Sequence, residues 1–238
     1  MVVTVTQVGI DVDAGTGWGG TQTAAVPGTS PVELAEDSLG AAIARWAADL
    51  PDVDPDRVAR KTFAGLPAGA TADQAAELAV QCAAELIGEE PQYSKLAARL
   101  LSAVITAEAA SQGAVSFSAA IAVGHREGLI GDVTAAFVEA DAARFDAAID
   151  TDGDLRFEYF GLRTVYDRYL LRHPVTRRVI ETPQHFLMRV AAGLSQEADE
   201  AVGFYRLMSS LAYLPSSPTL FNSGTRHTQM SSCYLVDS

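Results

Sequence analysis

Helix-start signals recur along this 238-residue chain and constrain it toward a fold built mainly from helices. Ser30-Pro31-Val32-Glu33 combines an N-cap serine, a proline at the first helical position and the glutamate of a capping box, a pairing that satisfies backbone N–H groups orphaned at a helix start. Leu39, Ile43, Trp46 and Leu50 then share a stripe, and residues 51–56, with two prolines, end that helix. A short element carrying Val58 and Phe63 follows. Thr71-Ala-Asp-Gln74 is a second capping box, opening a helix through Leu78, Cys82 and Leu86 to Gly88. A third helix spans 92–112, with Leu96, Leu100 and Val104 on one face and Gly113 as its stop. Further helices are expected over 118–126 and 134–149, the latter with Phe137, Asp141 and Phe145 at four-residue steps. Thr182-Pro183 starts another through Phe186, Val190 and Leu194, and Ser195 caps one more to about Leu211.

Between these signals the chain reads differently. Residues 1–30 hold six of the nineteen glycines and read as a flexible leader. Within it Gly15-Thr-Gly17-Trp-Gly-Gly20 satisfies GxGxxG after a possible strand, Val2 to Val12, but the helix N-terminus that a dinucleotide phosphate needs does not follow. Asp150-Thr-Asp152-Gly-Asp154 resembles a calcium loop whose glycine comes two places early and whose twelfth position is Gly161 instead of glutamate, so an ordinary acidic turn is expected. Residues 169–181 read as a β-hairpin around His173-Pro-Val-Thr-Arg177. In residues 215–238, prolines and small hydroxyl residues argue against a helix, and Met230 to Val236 alternates as a strand would.

The length suits one large domain or two small ones, at about 100 to 200 residues per domain. No apolar run reaches the roughly 18 residues of a membrane span, and the N-terminus lacks the pattern of a secretory signal, so a cytoplasmic protein is expected. The net charge of −13 is uneven: residues 1–154 hold 8 Lys/Arg against 23 Asp/Glu, whereas 155–238 hold 9 against 7. That acidity disfavours nucleic acid as a partner, while the C-terminal third is basic enough for a small anion.

Cys82 sits on the inward stripe of an alanine-rich helix, where cysteine serves as a small apolar residue. His125, His173, His185 and His227 lack metal-ligand spacing, and no metal site is expected. Cys233 differs. It lies beside two serines after a loop rich in Ser, Thr, Asn and Gly, whose polar groups can hold an anion and poise a thiolate.

Leu214-Pro-Ser-Ser-Pro-Thr219-Leu-Phe-Asn-Ser-Gly224, followed by Gln229-Met-Ser-Ser-Cys233-Tyr-Leu, resembles the segment of class I ribonucleotide reductase large (α) chains that leads into the first strand of the catalytic α/β barrel. Upstream, Tyr93-Ser-Lys-Leu-Ala-Ala-Arg-Leu100, Phe157-Glu-Tyr-Phe-Gly-Leu162 and the stretch from Tyr169 to Phe186 occur in the family's order and spacing, so the resemblance covers about residues 52–238. It implies four parts. Residues 1–30 are a leader; 31–113 a helical region readable as a degenerate ATP cone; 114–214 the helical N-terminal domain with its hairpin; and 215–238 the substrate loop and the start of an incomplete barrel.

The resemblance also assigns roles. Cys233 matches one of the redox pair that delivers two electrons to the ribose 2′ carbon and becomes a disulfide. Thr219 and Ser232 match residues at the substrate diphosphate, a role that suits hydroxyls near an anion. Strict strand alternation would point Ser232 away from Cys233, so an irregular strand start is expected. The second redox cysteine, the thiyl-radical cysteine, its Asn and Glu helpers and the C-terminal electron-accepting pair do not occur in the 238 residues, nor does the ATP cone's Val-x-Lys-Arg-x-Gly motif. The isolated chain is therefore expected to be inactive. Its implied partners are ribonucleoside diphosphate, the rest of the α chain and the small (β) subunit. No cofactor is expected on this chain: the radical would come from the metal-containing small subunit and electrons from thioredoxin or glutaredoxin, with ATP or deoxynucleotide effector binding left open. The rival reading is a non-catalytic helical module that docks onto a separate barrel chain.

Overall fold

Thr71 caps its helix as the sequence predicts: its hydroxyl accepts from the Gln74 amide, and the Gln74 side chain accepts from the Thr71 amide at 2.8 Å. Such local signals build most of the molecule, seen here in a computed structural model that describes residues 3–6, 31–34 and 36–233. Eleven helices account for most of these residues: α1 (Glu36–Trp46), α2 (Pro55–Gly65), α3 (Ala72–Glu85), α4 (Tyr93–Ser111), α5 (Phe117–Arg126), α6 (Asp132–Ala140), α7 (Ala142–Ala148), α8 (Tyr159–Arg168), α9 (Pro183–Leu194), α10 (Ala198–Ser209) and α11 (Ser217–Asn222). The fold is mainly helical.

The chain divides into two compact units, residues 1–107 with 157–163, and residues 108–156 with 164–238. In the first, α1 packs on α2 and α2 on α3. Leu39, Ile43 and Leu50 are buried as expected, while Trp46 is half-buried. Val58 and Phe63 belong to an eleven-residue helix, capped by Asp54, whose carboxylate accepts from the Arg57 amide. Leu96 and Leu100 are fully buried on α4, where Ile105 takes the inward place expected of Val104. Gly113, at φ +85°, closes α4 in a left-handed turn in which the Ala114 amide reaches back to the Ala109 carbonyl.

In the second unit α9 is buried from Pro183 to Ala192, with α10, α11, α5 and α6 packed around it and α7 packed on α5, α6 and α10. Gln184 ties this core together: its Nε2 donates to Asp154 at 2.8 Å, and its Oε1 accepts from Tyr205 and Ser209 at 2.9 and 2.8 Å. The acidic turn is thus used structurally, with Asp150 also paired to Arg156 at 2.8 Å.

Several expectations need correction. Pro31–Leu34 is a strand, β2, paired antiparallel with β1 (Val3–Thr6), and the helix begins only at Glu36. Proline fits a strand's first residue, and the Val-Thr-Val-Thr run offers a partner of high β-propensity that overrides the local capping signal. Four residues of the leader are therefore paired; Gly15 to Gly20 lies outside the described residues. The helix expected over 134–149 is broken at Asp141, whose carbonyl accepts from the Arg144 and Phe145 amides and restarts the chain as α7. The break turns Phe145 inward against Phe117 and Phe137, with centroids 5.9 and 5.4 Å away. Ser195 ends α9, donating to the Ala191 carbonyl, and α10 starts at Ala198.

The hairpin reduces to one bridge, Arg172 with Val179: the His173 and Ile180 amides donate across it to the Arg178 and Leu171 carbonyls, but the return bonds are missing because the Leu171 amide goes to Glu181 and the Arg178 amide to Thr176. Residues 217–222 do form a helix: Pro218 lies in its first turn, where a missing N–H costs nothing. Met230 to Cys233 form no strand, and residues 234–238 lie outside the described set.

Candidate functional site

Thr219 lies on α11, and Ser232 and Cys233 follow ten and eleven residues beyond the helix end, so what brings them together is the loop between. Tyr169 fixes α11 from one side: its ring stacks on Phe221 at 4.5 Å and its hydroxyl meets Ser217 Oγ at 3.0 Å. Ser223 and Gly224 then press against α9, and Thr225 bridges to Ile130, with the Arg226 amide donating to the Leu129 carbonyl at 2.9 Å.

From there the chain returns to α11. The Asn222 side-chain amide donates to the Gln229 carbonyl, and Thr219 Oγ1 lies 3.5 Å from the Met230 carbonyl. Ser232 Oγ lies 3.9 Å from Cys233 Sγ, and both residues are exposed. The irregular backbone removes the alternation that would have turned the two apart. Thr219 is half-buried, and its hydroxyl belongs to one loop-and-helix unit with the paired Ser232 hydroxyl and Cys233 thiol.

The two thiols sit in opposite environments. Cys82 is 4% exposed, and burial pushes its pKa up, so it stays protonated and shielded; Cys233 is exposed. A thiol reagent such as Ellman's is expected to titrate one cysteine quickly in the native chain and the second only on unfolding. Two fast thiols would contradict the burial of Cys82.

Sequence reasoning missed the residues that hold this loop. Arg189 is fully buried and forks onto Glu181, Nε to Oε2 at 2.9 Å and Nη2 to Oε1 at 3.1 Å, while Nη1 donates to the Ser223 carbonyl at 2.6 Å. One signal was available: Arg189 is the lone charge in His185-Phe-Leu-Met-Arg-Val-Ala-Ala-Gly-Leu194, and a helix apolar all round is buried, charge included.

His185, on the same helix, is 8% exposed with an unpaired Nδ1 against the Phe117 ring, and desolvation lowers its pKa from 6.5 to about 4, opposed only by Asp146. Between those values the unfolded chain binds a proton that the folded chain does not, so stability is lost as the pH is lowered across that window. The loss should total about 3 kcal/mol relative to His185→Leu, read from urea unfolding at pH 7 and pH 4. Parallel pH profiles for the two proteins would refute it.

Residues 155–228 match the family description "Ribonucleotide reductase, all-alpha domain". Over more of its length the chain is similar to the N-terminal part of ribonucleoside-diphosphate reductase large subunits. It is 39% identical to the large subunit of Arabidopsis thaliana over 193 residues, 77% of this chain. It is 34% identical to subunit alpha of Chlamydia trachomatis over 224 residues, 87% of this chain, and 36% identical to the Caenorhabditis elegans large subunit over 194 residues. The chain spans 23%, 21% and 24% of these relatives' lengths, respectively.

Proposed function

We propose that this chain supplies the helical part and the first redox-thiol segment of a ribonucleoside-diphosphate reductase, which converts ribonucleoside diphosphates to deoxyribonucleoside diphosphates. The observation that carries the reading is similarity to large subunits over most of the chain, together with an exposed Cys233 whose thiol lies 3.9 Å from the Ser232 hydroxyl. In the balanced reaction, Cys233 and a second thiol outside this chain lose two electrons and two protons and become a disulfide. The ribose 2′ C–OH becomes CH2, and its oxygen leaves as water. Thr219 and Ser232 offer hydroxyls to the substrate diphosphate. No cofactor resides on this chain in this reading: the radical comes from a metal-containing small subunit and the reducing electrons from thioredoxin or glutaredoxin.

The partners are ribonucleoside diphosphate, the remaining part of the α chain and the small subunit, in the cytoplasm. Among the described residues no helix is long and apolar enough to cross a membrane. The test is complementation. A large subunit from a relative, with its N-terminal quarter replaced by this chain, should reduce ribonucleoside diphosphate when given small subunit and dithiothreitol. A folded chimera that binds small subunit but yields no deoxynucleotide would overturn the assignment.

A further inference from the structure

We propose that Arg189, oriented by Glu181, and Gly193, one turn further along α9, are positioning residues for the segment from Thr219 to Cys233: they fix where the thiol sits without touching it. The positional role rests on reading Cys233 as the reactive atom; the anchoring does not.

Residues 189 and 193 are four apart, so they share one face of α9. That face meets the chain at Ser223 and Gly224. Arg189 has three donor groups in use, and Glu181 accounts for only two of them; the third holds the Ser223 carbonyl at 2.6 Å. Ser223 Oγ in turn donates to the Val190 carbonyl at 2.8 Å, so both ends of this residue are tied to α9. The approach leaves no slack. A Cβ on Gly193 would lie 2.1 Å from the Gly224 nitrogen, and a Cβ on Gly224, whose φ is +76°, would lie 2.8 Å from the Arg189 carbonyl oxygen. Contacts closer than van der Waals separation from both sides require glycine at both positions.

The fixed point governs both ends of the segment. Thr219 is four residues before Ser223, and its α11 turn is closed by the Ser223 amide donating to the Thr219 carbonyl at 2.9 Å. Downstream, the Asn222 side chain and Thr219 Oγ1 hold the carbonyls of Gln229 and Met230, so a shift at Ser223–Gly224 moves the loop bearing Ser232 and Cys233. Misplacement of a reacting group by about 1 Å can cost a hundredfold in rate, which gives such an anchor a functional consequence.

The experiment reads local order in the intact chain and needs no turnover. A maleimide fluorophore placed on Cys233, which the burial of Cys82 makes selective, reports anisotropy; mass spectrometry follows trypsin cleavage after the exposed Arg226. Two variants are compared with wild type. The double variant Glu181→Gln with Arg189→Met removes the fork without stranding a buried charge. Gly193→Ala favours helix yet collides with Gly224.

Both variants should keep wild-type far-UV circular dichroism while probe anisotropy falls and cleavage after Arg226 accelerates roughly tenfold or more, through local opening. Folded variants with wild-type anisotropy and cleavage would overturn the proposal and leave Arg189 a core residue only. Should the double variant not fold, Gly193→Ala decides alone, because alanine in place of glycine cannot weaken α9 itself. Either outcome leaves the redox reading of Cys233 to its own test.

Discussion

Cys233→Ser is expected to bring turnover of an assembled reductase carrying this segment down to background, while Cys82→Ser leaves turnover per folded molecule at the wild-type value. Serine preserves the volume and polarity of Cys233 at an exposed position, so neither folding nor packing around Thr219 should change. What disappears is a sulfur that can give up electrons by forming a disulfide. Cys82 is the complementary case: it is buried, its thiol is held protonated by burial, and Thr62 lies within hydrogen-bonding reach. A serine there can keep that partner, so its cost should sit near the lower end of the roughly 1 to 3 kcal/mol for an unmet buried hydroxyl. The measurement is deoxynucleotide formed per folded enzyme, together with the thermal midpoint. Wild-type turnover by the Cys233 variant would reduce the Ser-Ser-Cys segment to scaffold.

The same comparison shows where sequence reading works. Thr71, Gly113 and Thr182 act through bonds to backbone atoms within five residues, so their roles were legible from local spelling alone. Pro31 and Asp141 misled because a partner elsewhere decided the outcome: β1 claimed Pro31–Leu34, and burial of Phe145 favoured a break at Asp141. Pro218 misled for a simpler reason, since its place in a helix's first turn reverses its meaning. Within the candidate site, hydroxyl and thiol chemistry could be read from residues 214–235, whereas the anchor could not. Arg189 and Ser223 are 34 positions apart, and nothing in either residue's neighbourhood names the other.

That anchor also predicts the largest stability effect in the chain. Arg189 is fully buried and the Glu181 side chain is 4% exposed, so removing either partner leaves an ion in the interior with its solvation lost and its compensation gone. Arg189→Met and Glu181→Leu are each expected to destabilise the chain by about 3 to 5 kcal/mol, a large share of the roughly 5 to 15 kcal/mol that holds a domain folded. The pair replaced together, Glu181→Leu with Arg189→Met, should cost clearly less than the two single changes summed, because no charge is stranded. Some cost persists, since the Leu171 amide and the Ser223 carbonyl each lose a partner. A double-mutant cycle by chemical denaturation should therefore return a coupling of about 2 to 3 kcal/mol. Additive single effects would mean that the two side chains act independently, and the fork geometry would then have no energetic weight.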